Sequence, residues 1–214
     1  MKKQTIKEIF GRFQQQTPHP ETELVFANSY TLLVAVVLSA QATDKGVNKA
    51  TAGLFSCVKT PQEMIDLGLD GLKDHIKTIN FYNTKAKNIL ALSEILVRAY
   101  KGKVPGDREA LEALPGVGRK TANVVLNVAF GQDTMAVDTH IFRVSNRTGL
   151  ASGKMPLDVE LGLINAIPLP FRQHAHHWLI LHGRYTCTAR KPNCAGCLIN
   201  DLCEYQDKTT LCAT

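Results

Sequence analysis

Three groups of residues have types and spacing suited to chemistry: Lys120, Asp138 and four of the six cysteines. A lysine amine is a nucleophile once it is neutral. Lys120 follows Leu114-Pro115-Gly116-Val117-Gly118-Arg119, a turn with two glycines separated by one residue. Lacking Cβ atoms, Gly116 and Gly118 allow a phosphate to approach backbone N–H groups, and the start of a following helix adds favourable partial charge. An ordinary helix-to-helix connection would read the same way. Asp138 comes eighteen residues after Lys120, in Val137-Asp138-Thr139-His140. It can cap a helix running through Arg143 to Arg147, and a helix N-terminus holds a carboxylate ionised and oriented.

Cys187, Cys194, Cys197 and Cys203 place four thiols within 17 residues, enough to close a compact loop around a metal centre. Four thiolates suit structural zinc and an iron-sulfur cluster alike. The loop is read as including Arg184, Arg190 and Lys191, which gives it a basic surface for a nucleic-acid backbone. Cys57 falls beside an apolar helix face and is read as core. Cys212, in a tail from Asp207 to Thr214 that reads as frayed, receives no role. His174, His176, His177 and His182 are read as packing and surface residues rather than a second metal site.

These groups need a scaffold, and the punctuation of the chain is helical. Asp44 or Thr43 can cap a helix with the apolar face Val47, Ala50, Leu54, Phe55 and Val58. Thr60, Pro61 and Glu63 form a capping box with proline at the first helical position. Ala86, Ile89, Leu90, Ser93, Leu96, Val97 and Tyr100 mark one face of a long helix that Gly102 can end. Asp107 opens a short helix closed by Leu114, and another runs from Gly118 to Phe130, ending at Gly131. The β-branched segment Tyr30 to Gln41 could be a strand, but its length favours a buried helix. The sequence therefore predicts an all-α protein.

At 214 residues and 44% hydrophobic content the chain can build a real core, which excludes a disordered reading. A net charge of +6 suits a polyanionic partner. The longest apolar run, Leu32 to Leu38, is far too short to span a bilayer, so no membrane role is expected. Met1 to Gln16 is basic, contains Glu8 and lacks a long apolar stretch or cleavage site, so it does not read as a secretory signal. The expected location is cytoplasmic, where cysteines bind metals more often than they form disulfides.

The segment LPGVGRKTANVVLNVAFGQDTMAVDTHIFRVSNRT, Leu114 to Thr148, resembles the helix-hairpin-helix and Gly/Pro-Asp region of the endonuclease III family of DNA glycosylases. LSAQATD, Leu38 to Asp44, and the cysteine spacing resemble the same family, and the likeness runs from about Pro18 to Tyr205. It implies that Lys120 is the nucleophile, that Asp138 is the essential carboxylate, and that the four cysteines hold a [4Fe-4S] cluster. The implied partner is double-stranded DNA containing damaged pyrimidines or abasic sites, and the implied state is a monomer. An amine attacking the sugar C1′ displaces the base and leaves a Schiff base, whose iminium acidifies C2′ and allows β-elimination. Ordinary lysine titrates near ~10.4, so about one in a few thousand is neutral at pH 7. Partial burial of Lys120 and the adjacent cation Arg119 are the expected means of favouring the neutral amine, while Asp138 can stabilise charge developing on the sugar.

The target nucleotide must leave the stack, and something must fill the gap. By resemblance Gln41 enters the vacated space, and Phe81 stands where the family usually has a leucine wedge; the other reading of Phe81 is a core aromatic. The expected setting of the enzyme is then the nucleoid. Asn80 departs from the family's usual glycine, although Asn tolerates the left-handed conformation such a turn needs. Asp44, Thr139 and His140 are candidates for the pocket around the flipped base. The implied architecture is two-lobed: a six-helix domain over 22–134, and a cluster domain made of 1–21 with 135–214, with the active site in the cleft. Two alternatives stand beside this reading. A monofunctional mismatch or adenine glycosylase shares the fold but lacks a lysine at the nucleophile position, and a non-catalytic DNA-binding module would need neither Lys120 nor Asp138.

Overall fold

The computed structural model describes residues 1–209, so Cys212 lies outside the described residues. Among these the protein is all-helical, with ten helices and no strand. The chain divides into two compact units, one of Thr22–Gln132 and one of Met1–Glu21 with the segment from Asp133 onward.

The Thr22–Gln132 unit is built around α2 (Ser29–Ser39), whose residues Leu32 to Leu38 are all buried. A helix that is apolar on every side must be surrounded, and α2 packs against α3 (Asp44–Cys57), α5 (Tyr82–Tyr100) and α7 (Arg119–Phe130). That accounts for the β-branched run being a helix: burial on all faces overrides local preference. Asn28 closes a capping box with Thr31 at its start. The predicted box at Thr60 and Glu63 opens α4 (Pro61–Ile76), which kinks at Gly68. Thr43, not Asp44, is the N-cap of α3, accepting from the Gly46 N–H. The long helix α5 begins earlier than its apolar pattern, at Tyr82, and ends where Lys101 and Gly102 turn left-handed. Asp107 caps α6 (Arg108–Glu112). Leu111, Leu114 and Val117 are buried and anchor the connection from α6 into α7.

Cys57 is exposed, contrary to the sequence expectation. Val47, Ala50, Thr51 and Leu54 make the buried face of α3, and Cys57 falls at the helix end with its thiol toward the carbonyls of Gly53 and Leu54.

The second unit joins α1 (Lys3–Gln16) to α8 (Thr139–Thr148), α9 (Pro156–Ala166) and α10 (Leu169–Tyr185). Phe10 stacks on Phe171 at 6.0 Å, and the Trp178 indole N–H donates to the Thr17 carbonyl at 2.8 Å. The same core includes Ile141 and Val144 of α8, and Cys187 and Cys197 pack against it. No helix among the described residues is long and apolar enough to cross a membrane.

Candidate active site and iron-sulfur loop

Lys120 is the second residue of α7, at the end of the glycine turn. Gly116 has a φ of 78°, and a Cβ there would sit 2.9 Å from the Asn88 side chain, so both backbone and packing require glycine. Gly118 is different. It is the N-cap of α7 with ordinary extended dihedrals, and a Cβ would meet nothing within 4 Å. Its bare backbone leaves room on the outer side of the turn, and no side chain caps the helix start. Arg119 is half-buried, whereas Lys120 is exposed, so the partial burial expected for Lys120 is not found. The expected role for partial burial is corrected here.

Asp138 ends a buried stretch, Thr134 to Val137, that has no regular secondary structure. Its Oδ1 accepts from the Ile141 N–H at 2.8 Å, and its carbonyl accepts from Phe142 at 2.8 Å. The carboxylate is therefore oriented by the N-terminus of α8, as the sequence pattern predicts. Thr139 is exposed. His140 is half-buried and directs Nδ1 to within 3.3 Å of the Arg143 guanidinium.

The cysteines converge on a cavity that Arg147 and His182 also line. All four are free thiols. Burial pushes the Cys197 and Cys203 thiols upward, and repulsion among the four as thiolates pushes the same way. Cationic iron reverses that repulsion, so the donor set fits an iron-sulfur cluster. Cys187, Cys194, Cys197 and Cys203 would hold it, and the group would close the loop between them. Among the described residues no three His, Cys, Asp or Glu groups are arranged to hold a single metal ion.

Sequence reasoning missed the residues that fasten this loop. Arg143 donates to the carbonyls of Cys187 at 3.0 Å and Gly183 at 2.7 Å. One turn further along α8, Arg147 donates to Thr188 and Ala189 and lies 4.9 Å from the Tyr205 ring centroid. Arg12 of α1 grips Asp201 with two nitrogens and donates to Leu198, which holds the Asp201 carboxyl below the usual carboxylate range. Arg143 and Arg147 lie one turn apart on α8, which puts them on one helix face, but nothing in the local sequence marks the loop as their partner. Arg190 and Lys191 are exposed, while Arg184 belongs to α10 and not to the loop. The tail is held over its described part, since Lys208 donates to the Asn200 carbonyl and Thr209 to that of Pro192.

Two exposed turns carry the remaining candidates. Gln41 follows α2 with a φ of 56°, and Phe81 precedes α5 with a φ of 59° and is 64% exposed. The left-handed residue of the second turn is thus Phe81, not Asn80. Asn80 instead donates its side-chain amide to the Gln41 carbonyl at 3.1 Å. Asp44 is half-buried in the first turn of α3.

The HhH-GPD superfamily of base excision DNA repair proteins matches residues 34–166, well over half of the chain. The iron-sulfur binding domain of endonuclease III matches residues 187–203. The chain is 61% identical to endonuclease III of Haemophilus influenzae, over 94% of this chain and 95% of that one. It belongs to the endonuclease III family of the HhH-GPD superfamily. Endonuclease III of Escherichia coli is 57% identical over 99% of this chain and 100% of its own length. Among solved structures, a trapped endonuclease III–DNA covalent intermediate superposes with a TM-score of 0.88 at 44% identity, covering 95% of this chain and 96% of that one. A thermostable thymine-DNA glycosylase, at TM-score 0.80 and 24% identity, shares the fold. Membership of the endonuclease III family makes the chain a base excision repair glycosylase and lyase that binds DNA and carries a [4Fe-4S] cluster.

Proposed function

We propose that this enzyme releases oxidised pyrimidines from duplex DNA and cleaves the resulting abasic site by β-elimination, with Lys120 as nucleophile and Asp138 as its carboxylate partner. The observation that carries the reading is an exposed lysine in the first turn of α7, directly after a turn whose Gly118 leaves the backbone open to a phosphate. Lys120 Nζ attacks C1′ of the flipped nucleotide, and the C1′–N bond breaks as the base leaves with a proton. The bound amine then loses one proton, and its remaining lone pair breaks the C1′–O4′ bond, so the sugar ring opens with O4′ taking a proton and an iminium that acidifies C2′ is left. Loss of the C2′ proton then expels the 3′ phosphate. The Asp138 carboxylate at the start of α8 offsets the positive charge that grows on the sugar.

The hairpin around Gly116 and Gly118, with Arg119, holds the DNA backbone from one side, and Arg190 and Lys191 add contacts from the cluster loop. Gln41 fills the vacated base position, Phe81 wedges the stack, and Asp44, Thr139 and His140 border the flipped base. We further read the enzyme as a cytoplasmic, nucleoid-associated monomer. The test is a panel of duplexes containing thymine glycol, dihydrouracil, uracil or a bare abasic site. Rapid release of the two saturated pyrimidines, slow release of uracil and cleavage of the abasic strand are expected. Preference for uracil, or base release without strand cleavage, would contradict the assignment.

A further inference from the structure

We infer that Asn80 is a positioning residue that staples the turns bearing Gln41 and Phe81 into one preorganised intruding unit; this rests on the assignment of those two side chains as the ones that enter the duplex. Residues Ser39 to Ala42 form a type II turn: Ala40 has φ −57° and ψ 116°, Gln41 has φ 56°, and the Ala42 N–H donates to the Ser39 carbonyl at 3.1 Å. The third position of such a turn favours glycine or asparagine because it requires a positive φ. Residues Ile79 to Tyr82 repeat the device, with Tyr82 N donating to the Ile79 carbonyl at 3.2 Å and Phe81 left-handed at the third position.

Only three non-glycine residues among those described have positive φ, and the third, Lys101, merely ends a helix. Unfavourable backbone of this kind persists where the surroundings over-determine it, and it collects at functional sites. The surroundings here are two side chains. Lys85 is buried in α5, where burial pushes its ammonium pKa down, and donates to the carbonyls of Leu38, at 2.9 Å, and Ala40. Asn80 takes the next carbonyl along, that of Gln41, across 39 residues of sequence. One turn is continuous with the start of α5, and the other hangs from it through Lys85 and Asn80. The bond from Asn80 goes to Gln41 backbone, so the Gln41 side chain remains available to an orphaned base. Fixing both turns before DNA arrives removes ordering that would otherwise accompany intrusion.

The test uses the full-length, cluster-containing protein in a Lys120→Gln background, mixed rapidly with a thymine glycol duplex carrying 2-aminopurine beside the lesion. Its fluorescence reports unstacking. Asn80→Ala should slow the intrusion phase about threefold to tenfold, the size expected for one neutral hydrogen bond. In a Gln41→Ala, Phe81→Ala background the backbone bond survives but there are no side chains to position. Asn80→Ala should then lower the melting temperature by the same amount as before while leaving the residual intrusion rate unchanged. An equal slowing in both backgrounds would assign Asn80 a purely structural role and overturn the staple. If Gln41→Ala and Phe81→Ala themselves left intrusion untouched, the assignment of those residues would fall, and the staple with it.

Discussion

Asn is as good a helix N-cap as Asp, so Asp138→Asn separates two tasks of one side chain. The bond to Ile141 N–H survives the change, and the melting temperature should stay within about 2 °C. The negative charge does not survive, and single-turnover base release should slow by about a hundredfold or more. Loss of stability with an unchanged rate would reduce Asp138 to a cap. The positions of Lys120 and Asp138 were readable because each sits at a helix start marked by local signals, a glycine turn and an Asx cap. Side-chain surroundings were less readable. Cys57 shares the spacing of the α3 apolar face but is its last residue and exposed, and the left-handed conformation falls on Phe81 although Asn80 is the residue type that favours it. Local preference lost in both cases to packing and to the bond from Asn80 to Gln41.

At the scale of elements, the two glycines of the hairpin should behave differently when replaced. Gly116→Ala meets both a positive φ and the Asn88 side chain, and should destabilise the protein by roughly 1–3 kcal/mol in denaturant titrations. Gly118→Ala enters open space and should change stability by less than about 1 kcal/mol while weakening binding to undamaged duplex. Equal stability losses would mean that Gly118, too, is a folding glycine. The cluster loop is an element of another kind. Its four cysteines were legible from spacing, but the grips of Arg12, Arg143 and Arg147 were not, because partners up to 189 residues away leave no local pattern. Replacing Cys194 by Ser should remove iron and brown colour and lower the melting temperature together, since metal binding and folding of the loop are linked. A colourless variant of undiminished stability would show that the loop folds without its cluster.

For the whole molecule, buried histidines set the response to acid. Burial, with a smaller contribution from His174, lowers the pKa of His177 to about 4, against ~6.5 in an unfolded chain. The unfolded state then binds more protons between these values, so stability is full above about pH 6.5 and declines as pH falls toward 4. The slope approaches on the order of 1 kcal/mol per pH unit, and His177→Gln should flatten it if the variant folds. An unaltered slope would place the titration elsewhere. Binding to undamaged duplex should fall steeply with salt, and Arg190→Ala or Lys191→Ala should each reduce the slope of log affinity against log salt by up to about one unit. The direct test of the chemistry is borohydride reduction during turnover of a thymine glycol duplex by the intact enzyme and by Lys120→Gln. The intact enzyme should become covalently joined to DNA at the damaged sugar, and Lys120→Gln should yield neither adduct nor cleaved strand. A trapped adduct with Lys120→Gln would assign the attacking amine to another residue and contradict the account.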